Sequence, residues 1–240
     1  MKTLKSASFL LLMGTIGMGT LRAQTADEIV SKHEEALGGK AVVMGLKSLY
    51  TESTVEVNGQ EATSNTTILN GKGFKSEADF GGTKMIQVVT PTSGWAVSPM
   101  MGQPTPVALT DQQLKIGQAQ IHIGDALVDY AAKGYKVELI GKDTTGGVTD
   151  FKLRLTGSGL EATYYINGKT WLLDKEIDHV SANGQEIETT ISYADYKKTD
   201  AGFVMYGSRS ITLPQYTVNF TNKKIEVNKD VDPKIFDMPK

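Results

Sequence analysis

Cysteine is absent from this 240-residue chain, and histidine is scarce. The absence of thiols excludes thiol catalysis, a disulfide framework, zinc held by cysteines, and a lipid anchor on an N-terminal cysteine. The three histidines, His33, His122 and His179, lie far apart in the sequence. A catalytic metal centre is therefore hard to assemble from this composition.

An excess of positive charge is also lacking. The chain carries 25 Lys and Arg against 27 Asp and Glu, a formal charge of −2. Lys2, Lys5 and Arg22 lie in an N-terminal segment that we expect to be removed, which leaves 22 basic residues against 27 acidic ones and a net charge of −5. Polyanions require a basic surface, so this balance argues against nucleic acid and anionic membrane surfaces as partners.

Long apolar runs are confined to the N-terminus. Two lysines precede an apolar run from Phe9 to Met18, and Ala23 ends a cleavage site. This run is shorter than the roughly 20 residues that are needed to span a bilayer. The pattern is typical of an export signal. We therefore predict a signal peptide over residues 1–23, a mature chain over residues 24–240 that does not span the membrane, and a location in the periplasm.

The mature chain begins with a helical pattern and continues mainly with period-two alternation. Thr25 and Glu28 form a capping box before a helical stretch that ends at a Gly-Gly pair. Short alternating segments separated by Asn-Gly and Gly-rich turns predict about ten antiparallel strands joined as hairpins. A proline-containing stretch at 98–106 is predicted to be a loop outside the sheet, and a helical stretch at 110–132 has glycines in its middle. No βαβ rhythm or linker divides the chain, so we predict one α+β domain over residues 24–240.

Motifs for catalysis or nucleotide binding are missing from the sequence. It contains no P-loop, no dinucleotide-binding glycine motif, no HExxH, no GxSxG and no EF-hand loop. His33 precedes two glutamates but lacks a second histidine at helical spacing, which favours an amphipathic helix position over a metal ligand. Asp174, Glu176 and Asp178 alternate on one predicted strand, and this pattern favours a solvated outer face over acid/base chemistry. We expect no enzyme activity and no cofactor.

One basic residue interrupts an apolar pattern. Arg209 shares the parity of the apolar residues on a predicted strand from Phe203 to Leu213. Gly207 can mark a bulge that shifts the register, which is the favoured interpretation, or Arg209 can point inward, where it needs a partner. In the second case it can hold an anionic or carbonyl group of a ligand.

Several short motifs, taken in order along the chain, are similar to those of a known family. They are Ala26-Asp-Glu-Ile-Val-Ser-Lys-His-Glu-Glu-Ala-Leu-Gly-Gly39, Gly94-Trp95 before Pro99-Met-Met-Gly102, Ala126-Leu-Val-Asp-Tyr130 before Lys133-Gly-Tyr-Lys-Val-Glu-Leu-Ile-Gly141, Thr163-Tyr-Tyr-Ile-Asn-Gly-Lys-Thr-Trp171, and a tail with Val231-Asp-Pro233 and Phe236-Asp-Met-Pro239. The arrangement resembles the outer-membrane lipoprotein-sorting proteins of Bacteroidetes-type bacteria, relatives of the LolA and LolB lipoprotein carriers. The resemblance covers essentially the whole mature chain.

The resemblance implies an unclosed antiparallel β-barrel wrapped around helices that act as a lid. Its apolar interior would hold acyl chains during lipoprotein sorting to the outer membrane, and its partners would be an acylated lipoprotein or a lipid. The stretch at 110–132 would form the lid, and pliable methionines beside a tryptophan would form the mouth. The candidate residues of the ligand cavity or its mouth are Trp95, Met100, Met101, Ile121, Ile123, Leu127 and Arg209.

Two other functions remain compatible with the sequence. One is a structural accessory that docks on a membrane-complex protein through a sheet edge or the 98–106 loop. The other is an enzyme acting on an envelope lipid or polysaccharide with carboxylates as acid and base. An exposed apolar patch in place of a cavity favours the first, and Asp174 and Asp178 facing a cleft favour the second.

Overall fold

The computed structural model describes residues 24–144, 147–157, 160–182 and 185–239. The predicted signal peptide over residues 1–23 lies outside these ranges. Within them, no helix is both long enough and apolar enough to cross a membrane.

Two short helices begin the described chain. Helix α1 (Ala26–Ala36) starts at the predicted capping box, in which Thr25 accepts a hydrogen bond from the Glu28 amide and the Glu28 carboxylate accepts one from the Thr25 amide. Helix α2 (Lys40–Gly45) follows after a Gly-Gly corner. The reciprocal cap satisfies two backbone donors that would otherwise lack partners and so sets where α1 begins.

The first six strands form a meander in which each strand pairs antiparallel with the next. They are β1 (Ser48–Val57), β2 (Gln60–Leu69), β3 (Gly73–Phe80), β4 (Thr83–Val89), β5 (Gly94–Ser98) and β6 (Gln103–Ala108). The prediction that the stretch at 98–106 stays out of the sheet was wrong, since a 3-10 turn at Pro99–Met101 leads into β6. Strand β6 is an edge strand with one unpaired side, which is where a sheet tolerates prolines such as Pro104 and Pro106.

The chain from residue 109 to residue 135, which we call the crossing segment, then lies across one face of the sheet. Helix α3 (Asp111–Gly117) begins at a second capping box, and a 3-10 turn (Gln118–Ile121) continues it. The helix predicted over 110–132 is therefore much shorter than expected. His122 has extended backbone angles and Gly124 has a left-handed φ of +89°, and neither conformation continues a helix.

The remaining strands build the other half of the sheet. They are β7 (Lys136–Asp143), β8 (Asp150–Gly157), β9 (Leu160–Asn167), β10 (Leu173–Ala182), β11 (Gln185–Ala194), β14 (Ser208–Thr212) and β15 (Thr217–Val227), with a separate ribbon of β12 (Lys197–Lys198) and β13 (Val204–Met205) between β11 and β14. A 3-10 turn at Pro233–Phe236 follows β15.

The main sheet has thirteen strands in the order β6-β5-β4-β3-β2-β1-β15-β14-β11-β10-β9-β8-β7. Strand β15 returns to pair with β1, which joins the two meanders at the centre of the sheet. The edge strands β6 and β7 do not pair with each other in the residues that the structure describes. The fold is therefore the predicted α+β, unclosed antiparallel barrel, with thirteen strands in its sheet instead of about ten.

The two faces of the sheet carry different covers. We call the face that carries the helices the inner face, and the opposite one the outer face. On the inner face, α1, α2 and residues 121–128 pack on two apolar clusters of the sheet. On the outer face, Phe236 of the C-terminal turn packs on Val88 and Trp95. Strand β4 shows the alternation directly, because Val88 faces outward, Val89 faces inward, and both are 0% exposed.

Candidate functional site

The inner face has a covered part and an open part. In the covered part, the helical segments bury side chains such as Leu49 and Leu153, which are 5% and 0% exposed. In the open part, the strand register places further apolar side chains on the same face, each of them partly exposed. They are Val57, Phe80, Met85, Ile211, Val218 and Phe220. The inner face is therefore apolar beyond the area that the helices cover.

A buried charged pair attaches the helical layer to the sheet. His33 of α1 is 0% exposed, with Nε2 2.8 Å from a carboxylate oxygen of Asp125 and Nδ1 2.7 Å from the Trp171 carbonyl oxygen. Both partners are acceptors, so we infer that both ring nitrogens donate and that the ring is an imidazolium. Trp171 lies between β9 and β10, so one side chain of α1 joins that helix, the crossing segment and the sheet.

The charges of this pair stabilise each other. Burial lowers the pKa of His33, but the Asp125 carboxylate and the hydrogen bonds to Asp125 and Trp171 outweigh burial and leave that pKa above its usual value. Burial raises the pKa of Asp125, but the charge of His33 and its hydrogen bond outweigh burial and leave that pKa below its usual value. Lys133 donates to the backbone carbonyl of Asp125 at 3.1 Å, and burial lowers the pKa of Lys133. A weakly acidic solution therefore keeps both members of the His33–Asp125 pair charged.

A carboxyl group lies among tyrosines on the inner face. Glu176 pairs across the sheet with Tyr164 and Ile191, is 8% exposed, and accepts a hydrogen bond of 2.6 Å from the Tyr193 hydroxyl. Burial and then the charge of Asp178 raise the pKa of Glu176 to about 8, and burial raises the pKa of Asp178 to about 6. Glu176 therefore gives up its proton less readily than an exposed glutamate, and the Tyr193 hydroxyl holds it in place.

The preference for a solvated outer face was therefore wrong for Glu176 and Asp178. Glu176 and Asp178 share the inner face, because their partners Tyr164 and Ala162 belong to the apolar cluster under α1. Alternation alone cannot tell which face of a strand carries the helices. A buried carboxyl can occupy the inner face here because tyrosine hydroxyls satisfy it.

Arg209 also points to the inner face. It pairs with Tyr193 on one side and with Phe220 on the other, and both of these partners face inward. Its guanidinium lies 4.5 Å from the centre of the Phe220 ring and 6.0 Å from that of Tyr206. Such an arrangement stacks a cation on ring faces.

The predicted strand is interrupted at Gly207, but the interruption is not the bulge that the sequence favoured. The Gly207 amide donates to the carbonyls of both Ala194 and Asp195, and a Cβ at Gly207 would lie 2.6 Å from the Asp195 oxygen. The predicted strand from 203 to 213 is split there into β13 and β14, which belong to different sheets. This irregularity lies where the sequence places it, but it does not turn Arg209 outward.

The predicted ligand residues lie in four separate places. Ile121, Ile123 and Leu127 belong to the crossing segment and are buried beneath it, at 5%, 4% and 0% exposure, while Arg209 lies on the inner face. Trp95 faces outward, where its indole N–H donates to the Phe236 carbonyl at 3.0 Å. Met100 and Met101 lie on the turn between β5 and β6 and are 59% and 74% exposed.

Sequence reasoning missed the apolar residues of the open part and placed the carboxyl of Glu176 on the wrong face. The period-two alternation of β1, β14 and β15 carries a signal for Val57, Ile211 and Val218. No sequence signal indicates that Tyr193 meets Glu176, because that contact joins two strands through their register.

Two cavities that occur among the described residues are small. One of about 200 Å³ lies beside α1 and has Asp27, Glu34, Lys40 and Asp129 in its wall. Another of about 100 Å³ lies over β2–β4, where Glu77 contributes to its wall. Ligand pockets commonly measure about 300–1,000 Å³. In this arrangement the helices occupy part of the inner face, so an acyl chain reaches the covered part only if the helical layer moves.

Comparison with known proteins identifies the fold. No protein-family model matches the sequence, and no curated protein matches it either. A LolA superfamily protein from Nitrosomonas europaea superimposes with a TM-score of 0.59 at 14% identity, over 90% of this chain and 98% of that one. A DUF1329 family protein from Desulfovibrio piger gives 0.59 at 12% identity, over 90% and 98%. An outer membrane lipoprotein-sorting protein domain from Vibrio parahaemolyticus gives 0.60 at 12% identity, over 88% and 97%. The chain therefore has the LolA-superfamily fold that its motifs resemble.

Proposed function

We propose that this protein is a non-catalytic periplasmic carrier that binds the acyl chains of lipoproteins or lipids on the inner face of its open barrel, for sorting to the outer membrane. The observation that carries the proposal is that the inner face has apolar side chains beyond the part that the helices cover. An acyl chain gains about 0.8 kcal/mol for each methylene group that it buries, so such a face supplies binding energy without catalytic groups.

The described arrangement corresponds to a closed form in this proposal. Helix α3 has only seven residues and is followed by turns, so few backbone hydrogen bonds hold the crossing segment in shape. Its polar attachments to the sheet are few, and they include the Ile123 amide donating to the Asn70 side chain at 3.1 Å. Short helices of this kind belong to the less stable parts of a fold and can leave the sheet without unfolding it. The lipoprotein-sorting description of the Vibrio domain, which shares this fold, supports the proposed cargo.

The test of the proposal is the uptake of a fluorescent fatty-acid probe by the mature chain. We expect saturable uptake that a synthetic diacylated lipopeptide reverses, and lipid in the native mass spectrum of protein taken from cell envelopes. The absence of probe uptake together with an unliganded mass would reject the carrier function.

Two neighbouring valines report whether the inner face opens. Because the chain has no cysteine, Val88→Cys and Val89→Cys each introduce a single thiol at a fully buried position of β4, facing outward and inward respectively. Val89 lies directly beneath Gly117 of α3. We expect the Val89→Cys variant to react with a thiol reagent about ten times faster than the Val88→Cys variant, because local opening of the helical layer costs less than global unfolding. Saturating lipopeptide should slow the reaction at position 89 alone, and equal rates at both positions would contradict the opening.

A second candidate function is docking on an envelope complex. Four large exposed apolar residues lie between positions 100 and 116, and they are Met100, Met101, Val107 and Ile116. Exposed apolar side chains that recur in one region are typical of a protein contact surface. The same methionines are also the proposed mouth for lipid, so one substitution separates the two functions.

Met101→Asp is expected to weaken probe uptake several-fold if the methionine turn is the mouth, because a charge at the entrance opposes the passage of an acyl chain. At 74% exposure the change should leave the thermal unfolding midpoint unchanged. Met238→Asp, at a residue 46% exposed in the C-terminal tail, is the control. Unchanged uptake in the Met101→Asp variant would remove the turn from the carrier site and favour the docking function.

A further inference from the structure

A single row of inner-face residues crosses the centre of the sheet. The strand register pairs Arg209 with Phe220, Phe220 with Val55, and Val55 with Ala62. The pairing of β2 with β3 ends at Thr63 and Asp79, and the next position of each strand in the same register brings Phe80 to the side of Ala62. The row therefore has a cation at its β14 end and only apolar side chains from there to β3.

The cation at the end of this row has no acidic partner in the part of the chain that the structure describes. Seven ion pairs within 4.0 Å occur there, and none of them includes Arg209. Its contacts are instead the ring faces of Phe220 and Tyr206. The carboxyl of Glu176 on the same face accepts a hydrogen bond from the Tyr193 hydroxyl.

Arg209 is partly exposed. Its guanidinium forms no hydrogen bond within the part of the chain that the structure describes. Ring stacking uses the flat face of a guanidinium and leaves the N–H groups at its edge available. Those groups form the fork that carboxylates and phosphates bind in a bidentate manner.

We propose that Arg209 binds the anionic head group of a single-chain amphiphile, with the acyl chain lying along the row toward Phe80. This inference rests on the proposed carrier function, because it places the head group of the cargo on the same inner face. The shared chemistry of the head group is a carboxylate, as in a fatty acid, or a phosphate, as in a monoacyl phospholipid.

The dimensions of the row suit an extended acyl chain. From β14 to β3 it crosses four inter-strand steps of about 4.8 Å, which amounts to about 19 Å. Val55 and Ala62, the small side chains in its middle, are 3% and 5% exposed. The larger side chains around them must therefore part to admit methylene groups, and a cation at one end orients the chain.

The experiment compares a fluorescent polyene fatty acid of 18 carbons with its methyl ester, which has the same chain and no charge. We expect Arg209→Gln to weaken binding of the acid about 10- to 100-fold, the usual range for losing hydrogen bonds to a charged group, and to change binding of the ester less than twofold. Arg209→Lys should retain part of the affinity for the acid. Arg154→Gln, at an exposed position of β8, is the matched control and should leave both affinities unchanged.

Competition identifies the source of the anion. Monoacylglycerol phosphate should displace the fluorescent acid from the wild-type protein, and its affinity relative to an unlabelled fatty acid shows which head group is preferred. Acetate and inorganic phosphate at millimolar concentration should displace nothing, and displacement by these short anions would overturn the role of the apolar row.

The remaining outcomes separate this inference from the carrier function. Equal losses for acid and ester in Arg209→Gln, or no loss for either, overturn the head-group site while probe binding by the wild type still supports a carrier. If neither probe binds the wild type, the carrier function fails and the head-group site fails with it.

Discussion

Asp125→Ala is expected to lower the free energy of unfolding by about 3–5 kcal/mol at pH 6, because it leaves the imidazolium of His33 buried without its counter-ion. His33 is 0% exposed and the side chain of Asp125 only 17%, so water cannot replace the lost carboxylate without opening the helical layer. Chemical denaturation followed by circular dichroism measures the loss. The variant should also bind fatty-acid probes faster, since α1 and the crossing segment lose a shared attachment.

The control is an exposed ion pair of the same helical region. Lys40 and Asp129 approach to 2.7 Å, but the lysine side chain is 50% exposed. Lys40→Ala should therefore change stability little, because exposed ion pairs contribute little to folding. A loss in Asp125→Ala no larger than in Lys40→Ala would contradict the role of the buried pair.

The loss of stability in the Asp125→Ala variant depends on pH in a definite direction. The pKa of His33 is raised above 6.5 in the folded protein, so its contribution is complete below pH 6.5 and is lost as the pH rises through the folded value. The pKa of Asp125 is lowered below 3.8, so its contribution is complete above that pH and is lost as the pH falls through the folded value. The gap in stability between wild type and Asp125→Ala should therefore be widest between about pH 4 and pH 6.5 and narrower on either side.

Phe236→Ala is expected to lower the free energy of unfolding by about 3–5 kcal/mol and to release the C-terminal tail from the outer face. The ring is 6% exposed and lies so close to Gly73 that a Cβ there would be 2.8 Å from it, so truncation removes a well-packed contact. Trp95 loses the partner of its indole N–H in the same step. In a Trp171→Phe background the emission of Trp95, then the single tryptophan, should shift to longer wavelength on Phe236→Ala as water reaches the indole.

Met238→Ala two residues further on provides the comparison for the tail. Met238 is 46% exposed, so its truncation should leave both stability and Trp95 emission close to the wild type. Because the tail covers the outer face, Phe236→Ala should not weaken the binding of fatty-acid probes at temperatures where it remains folded. A selective loss of binding in that folded variant would place part of the ligand site on the outer face.

Local chemistry predicts the elements well where the responsible groups are neighbours in the chain. The capping box of Thr25 and Glu28 starts α1 at the predicted residue, and the hairpin strands follow the predicted alternation. The prolines at 104 and 106 misled the prediction of β6, because the effect of a proline depends on whether its side of the strand is paired. That pairing is a property of the complete sheet.

The candidate site was less predictable, because its residues come from distant parts of the chain. Arg209 was singled out by its parity among apolar residues, but its orientation depends on the pairing of β14 with both β11 and β15. Trp95 was expected beside the methionine turn, and the C-terminal tail covers it on the opposite face instead. The tail and β5 are more than a hundred residues apart, so no local pattern links them.

Caps, hairpin turns and period-two alternation are local patterns of the sequence that are enough to specify an antiparallel α+β fold, and the motifs of the chain resemble those of proteins with this fold. The assembled structure is needed to show which face of each strand is inner, that Glu176 is buried among tyrosines, and that helices fill part of the apolar face. The physical reason is that capping and alternation act between residues a few positions apart. Burial, ion pairing and cross-strand contact depend instead on the register of strands that meet only when the sheet is complete.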